Sequence, residues 1–165
     1  MKKEVVLRPA IAADAGQVAA VYLASRAAFL AFAPVVHSQA EVRDRVARVL
    51  IPGGGVTVAI GRGPIGPIVG MMAVSRQRGV GWIDQLYLLP SAVGHGLGTR
   101  LVEHAKKSLG SPVRLFTFQQ NVGARRFYER HGFRAIEFSD GSNNEEHCPD
   151  ILYEWVATEP HLLRG

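Results

Sequence analysis

The stretch GWIDQLYLLPSAVGHGLGTRLVEHAKKSL, residues 81 to 109, narrows the folds open to this chain more than any other. Residues 81 to 89 are apolar and rich in strand formers, and Pro90 stops them because proline cannot donate to a sheet ladder. The segment that follows, PSAVGHG, is made of turn formers. Leu97, Leu101, Ala105 and Leu109 then recur every four residues, which marks one apolar face of a helix over about 97 to 109. A strand that passes through a glycine-rich loop into an amphipathic helix needs a sheet for that helix to cover, so the chain is read as an α/β (α+β) protein.

The remaining segments extend this pattern in both directions. EVVLRPA (4 to 10) reads as a first strand, and Asp14 with Gln17 reads as a helix N-cap and capping box opening an alanine-rich helix to about Phe32, ended by Pro34. Ser38 and Glu41 form a second box, opening a helix to about Leu50 before PGGG. VTVAI (56 to 60) and IVGMMAVS (68 to 75) read as a hairpin, VRLFTF (113 to 118) as a strand, and Asn121 as the cap of a helix running to His131. Gly132 is a natural helix stop, FRAIEF (133 to 138) and ILYEWV (151 to 156) complete the strands, and a polar loop lies between them. The predicted order is β-α-α-β-β-β-α-β-α-β-β, without an internal linker.

Composition fits one soluble domain, with 47% hydrophobic and 20% charged residues among 165. A net charge of +5 is compatible with a phosphorylated ligand, but the arginines give no interleaved basic and aromatic run of the kind that binds RNA. Arg43, Arg45 and Arg48 share their segment with Glu41 and Asp44, as on a solvated helix face. No nucleic-acid partner and no membrane association are expected, since no apolar run approaches the ~20 residues of a membrane span and the first apolar stretch is too short for a signal peptide. The single cysteine, Cys148, excludes an internal disulfide and suits a reducing compartment, so a cytoplasmic location is expected. His147, Cys148 and His131 do not have zinc-site spacing, and no metal is expected.

The alternating Gly94, Gly96 and Gly98 stand where backbone N–H groups and the positive end of a helix can meet an anion. A dinucleotide fingerprint would need glycine at Thr99, and a Walker loop would need lysine at that same position, so both fail on spacing. A pyrophosphate remains the best ligand for the loop.

LYLLPSAVGHGLGTRL (86 to 101) resembles motif A of the GNAT superfamily of acetyl-CoA-dependent N-acetyltransferases, and NVGARRFYERHGF (121 to 133) is similar to motif B. LRPA with Asp14 and the closing PDILYEW extend a weaker likeness along the chain. The resemblance implies a single domain over residues 1 to 160, with 161 to 165 as a tail. The expected sheet is mixed and mostly antiparallel, of about seven strands with helices on both faces. It implies acetyl-CoA as cosubstrate, a small-molecule or peptide amine as acceptor, direct attack in a ternary complex, and a homodimer as a common assembly among relatives. Val93 departs from the pattern, standing where the family commonly has Arg or Gln.

The resemblance also places the site. Leu86, Tyr87 and Leu88 would polarise the thioester and pair with pantetheine through their backbone. Val93, Gly94, His95, Gly96, Leu97, Gly98 and Thr99 would cradle the pyrophosphate, and Asn121, Ala124, Phe127 and Tyr128 would complete the cofactor side. Tyr128 would be the general acid that protonates the departing thiolate. The base stays open among Asp84, a carboxylate in an apolar strand, the loop residues Glu145 and Glu146, His37 or Glu41, and a water relay. Phe32, His37, Glu41 and Glu145 are the acceptor-side candidates. Arg125, Arg126 and Arg130 are surface charges or contacts to the adenosine phosphates, and Cys148 has no evident activating partner as a nucleophile. A non-catalytic acyl-CoA-binding or sensing module on the same fold is the alternative reading.

Overall fold

In the computed structural model, which describes residues 4 to 158, seven strands form one sheet in the order β1-β2-β3-β4-β5-β7-β6. The strands are β1 (Val6–Pro9), β2 (Val56–Ile60), β3 (Ile68–Gln77), β4 (Val80–Leu88), β5 (Val113–Phe118), β6 (Arg134–Ser139) and β7 (Asp150–Trp155). Every neighbouring pair is antiparallel except β4 and β5, which run parallel. The helices are α1 (Ala15–Phe29), α2 (Gln39–Arg45), α3 (Leu97–Leu109) and α4 (Val122–Arg130). The tail read over 161 to 165 lies outside the described residues.

Two apolar clusters lie on opposite faces of the sheet. Val18, Val21 and Val42 from α1 and α2 pack with Val58, Ile60 and Met71. Leu101, Ala105 and Leu109 from α3 pack with Ile83, Leu115, Tyr128 and Tyr153. The four-residue spacing read in the sequence is thus the buried stripe of α3, and helices cover both faces as expected.

Caps explain where the helices begin. Asn121 Oδ1 accepts from the Ala124 N–H at 3.2 Å, and Ser38 Oγ accepts from the Glu41 N–H at 3.1 Å. The box read at Asp14 and Gln17 does not form. Asp14 is buried and accepts two hydrogen bonds from the Arg8 guanidinium, at 2.7 and 2.9 Å, and a third from the Ile11 N–H at 2.8 Å. A charged fork outcompetes a cap, because a buried carboxylate needs its lone pairs met by a cation. The Arg8 pair therefore holds the Asp14 carboxyl below its ordinary pKa. Gln17 instead accepts from the Ile68 N–H at 3.0 Å, tying α1 to the start of β3. Helix α1 ends at Phe29, short of Phe32, and α2 runs on into a π-helical turn, Val46–Leu50.

The feature that shapes the site is the junction of β4 and β5. Only Gly81 with Val113 and Trp82 with Arg114 are paired, after which the two strands part. A bulge falls beside the parting: Ala73 opposes Gln85 and Val74 opposes Ile83, leaving Asp84 as the extra residue of β4. Bulges bend a strand and raise its local twist, which helps β4 turn away from β5.

Candidate active site

The gap between the strands opens on two sides into cavities of about 500 Å³ each, within the range of ligand-binding clefts. They share Leu30 of the α1 exit, Leu86 and Tyr87 of β4, and Asn121, Ala124 and Tyr128 at α4. Tyr128, only 8% exposed, thus faces both cavities, and no hydrogen bond engages its hydroxyl among the described residues.

The first cavity is floored by the glycine loop. Val93, Gly94, Gly96, Gly98 and Thr99 line it together with Leu88 and Phe127. Gly96 sits at the N-cap of α3 with φ +82°, a left-handed conformation open to glycine, and no side chain caps the helix. The first-turn N–H groups of α3 are therefore left for a ligand. On the opposite wall, the Leu89 N–H donates to Val69 across β3, at 2.9 Å. By strand alternation Tyr87 also faces β3, so Leu86 and Leu88 turn their N–H and C=O groups into the gap. An extended arm with amide groups could pair there as an added strand.

Not every candidate shares this wall. Leu97 is buried in the core and, like the exposed His95, lines neither cavity. Arg130 lines the first cavity, whereas Arg125 is tied to the Gln119 carbonyl at 3.2 Å. Ser25 and Phe29 of α1 also line it, and neither carries a sequence signal, since they enter only through the docking of α1.

The second cavity lies over β5, β7 and β6. Asp84 and Glu146 line it, as do Arg26, Glu137 and Asp150, none of which stood out in the sequence. Arg26 pairs with Glu146 at 3.5 Å and lies 5.7 Å from the centre of the Tyr22 ring, which packs edge-on against Tyr87 at 4.9 Å. The i, i+4 spacing of Tyr22 and Arg26 in an otherwise alanine-rich helix is the local signal that could have found Arg26. Phe32 stands at the rim, edge-on to Phe118 at 5.8 Å. Cys148 lines neither cavity, and its N–H and C=O are both bound by Asn144.

Burial and charge set the proton affinities. Desolvation, helped by the nearby Tyr87 phenol, raises the Tyr128 pKa well beyond the ordinary phenol range. Burial pushes Tyr87 up to about 12, Tyr22 adding to the rise and Arg26 opposing it. Asp84 is raised by partial desolvation at the parting of the strands, with the Ser75 hydroxyl opposing.

His37, Glu41 and Glu145 come together with one another but line neither cavity. His37 Nδ1 lies 3.2 Å from Glu41 and Nε2 lies 2.9 Å from Glu145, so both ring nitrogens meet carboxylates and both must donate. Only the imidazolium can do so. The Glu145 bond, then the Glu41 bond, raise the His37 pKa above its ordinary value of 6.5. Because the folded-state pKa is raised, the link between the α1–α2 connection and the β6–β7 loop is complete below the ordinary pKa. It is lost as pH rises through the higher folded value. The His37 ring should titrate by NMR with a midpoint above the ordinary histidine value, and Glu145→Gln should lower that midpoint; no difference between the two proteins would dissolve the link.

Among the described residues no three His, Cys, Asp or Glu side chains gather as a metal site, and no helix is long and apolar enough to cross a membrane.

A sheet parted at its one parallel pair, with an uncapped helix end on one side and a second cavity on the other, defines an α/β fold with a two-sided cleft. The model of the Acetyltransferase (GNAT) family matches residues 23–133, well over half of the chain, and the chain belongs to that family. Solved structures agree with this fold. YjaB from Escherichia coli, in its apo form, superposes with a TM-score of 0.74 at 25% identity over 94% of this chain and 99% of that one. The PaiA N-acetyltransferase from Thermoplasma acidophilum, in complex with coenzyme A, gives 0.72 at 18% identity over 93% and 99%. Naa50 from Arabidopsis thaliana, in complex with the bisubstrate analogue CoA-Ac-MVNAL, gives 0.67 at 18% identity over 93% and 99%. No curated protein sequence matches the chain.

Proposed function

We propose that this protein transfers the acetyl group of acetyl-CoA to a primary amine by direct attack within a ternary complex. The observation that carries this reading is that both cavities meet at Tyr128, a buried phenol whose hydroxyl has no hydrogen-bond partner among the described residues. The residues present fit coenzyme A. The uncapped first turn of α3 and the Gly94 to Thr99 backbone suit its pyrophosphate, and the free edge of β4 suits an amide-bearing arm. Arg130 adds positive charge on the same side.

Acetyl-CoA supplies the activated acetyl group, and the chain's own residues orient it, polarise it and move protons. The Leu86 or Leu88 N–H donates to the thioester oxygen, where negative charge develops in the transition state. The amine reaches the carbonyl carbon from the second cavity, Asp84 takes its proton directly or through water, and the C–N bond forms as the C–S bond breaks. Tyr128 gives its proton to the leaving sulfur. The raised pKa keeps Tyr128 protonated, and the same apolar surroundings raise the thiol, so donor and acceptor rise together. Holding the two substrates in line supplies much of the acceleration without a covalent intermediate, and Cys148 stands outside both cavities.

Initial rates measured at several fixed amine concentrations test the ternary complex. Intersecting double-reciprocal lines are expected, with coenzyme A binding to the free protein by calorimetry. Parallel lines, with acetyl retained on the protein, would replace direct attack by a covalent route.

A further inference from the structure

The second cavity carries charge opposite to that of the chain. Asp84, Glu137, Glu146 and Asp150 line it against the single cation Arg26, a formal balance of −3 within a protein of net charge +5. Arg26 is engaged by Glu146 at 3.5 Å, so the other three carboxylates face the cavity without a cation among its lining residues. Asp150 is held in place by Ser139 Oγ at 2.6 Å and Asn144 Nδ2 at 3.1 Å. Glu137 has no ion-pair or hydrogen-bond partner among the described residues.

The position of Glu137 is set by a second bulge. Ala135 opposes Tyr153, but the next partner of Leu152 is Glu137, leaving Ile136 as the extra residue. Without that bulge Ile136 would oppose Leu152 and Glu137 would point through the other face of the sheet. With it, Phe116, Leu152 and Glu137 form one cross-strand row, and Phe118, Asp150 and Ser139 form the next. Both rows line the cavity. The nearby cations of the row beyond, Arg114 and Arg134, flank Glu154 outside the lining, and Arg114 is bound to it at 2.7 Å. Glu137 thus lies on the edge strand, two strand spacings, on the order of 10 Å, beyond β5, while Tyr128 lines the same cavity from α4.

We propose that the acceptor carries, besides the reacting amine, a second cationic group held at the β6–β7 end of the cavity by Glu137 and Asp150, with the aromatic side chains of Phe116 and Phe118 lining the same cavity. This rests on the acetyl-transfer reading and deepens it, naming the acceptor as a linear diamine or longer oligoamine. A field concentrated in an acidic cleft raises the local concentration of such a cation even where the protein as a whole repels it. Charge-assisted contacts at the far end then select it over a monoamine of equal length.

The test is kcat/KM of the full chain for 1,8-diaminooctane against octylamine at saturating acetyl-CoA. The diamine is expected to be favoured by about tenfold or more at low salt, with the ratio falling as ionic strength rises. Glu137→Gln should shrink the ratio, and Glu137→Lys should shrink it further. Equal efficiencies for the two amines, or a ratio unchanged in both variants, would overturn the second cationic group. So would acetylation of other amines while both of these are refused. Failure to acetylate any amine would instead strike the transfer reading beneath it.

Discussion

Tyr128→Phe is expected to lower kcat by about 10²- to 10³-fold while leaving coenzyme A affinity within about twofold. The change deletes one oxygen and keeps the ring, which packs against Phe127 at 5.2 Å and Phe133 at 5.7 Å between centroids. The core around α4 should therefore survive. What is lost is the proton that neutralises the leaving sulfur; the other hydroxyl lining both cavities, that of Tyr87, belongs to a ring packed edge-on against Tyr22. Steady-state kinetics with calorimetry separates the two effects. An unchanged kcat would remove Tyr128 from proton transfer, and a parallel loss of affinity and thermal stability would make it a packing residue.

The second large effect is expected at Gly141. It holds φ +84°, and a Cβ built there would collide with the backbone of Cys148. Alanine cannot relieve this by a rotamer change, because the obstacle is main chain. The loop around it is closed by its own bonds, with Asn144 donating to the Cys148 carbonyl at 2.7 Å and Asp140 accepting from the Ser142 N–H at 2.9 Å. Gly141→Ala should cost about 2 to 4 kcal/mol of stability, from the left-handed backbone and the clash together. It should also displace Glu145 from His37 and Glu146 from Arg26. A lowered Tm and an acceptor KM raised by about tenfold or more, with coenzyme A affinity retained, are the expected readings. Wild-type Tm and KM would show that the loop tolerates the side chain and does not shape the acceptor cavity.

The glycine-loop side of the cleft was legible because its signals are local. The glycine loop, the four-residue stripe of α3 and the Asn121 cap each lie within one short segment, and the structure forms all three. Asp14 was misread because its true partner, Arg8, competes from outside the helix, and a capping pattern cannot show that a stronger charged fork is available. The second cavity depends on contacts distant in sequence. Glu137 reaches the cavity only through a bulge in the β6–β7 pairing, and Arg26 only through the docking of α1 over the parting strands. Asp84 drew notice as a carboxylate in an apolar strand, and its place as the unpaired residue of a bulge accounts for it. Nothing in the residues of β4 and β5 announces that their pairing stops after Trp82 and Arg114, since that limit comes from the twist of the whole sheet.

The central claim is acetyl transfer from acetyl-CoA to an amine at Tyr128. Its most direct measurement is a turnover assay with an amine panel, in which free coenzyme A thiol and the acetyl mass shift of each acceptor are followed together. Release of thiol in one-to-one proportion to acetylated amine is predicted, and coenzyme A binding with no acetylated product from any amine would contradict it.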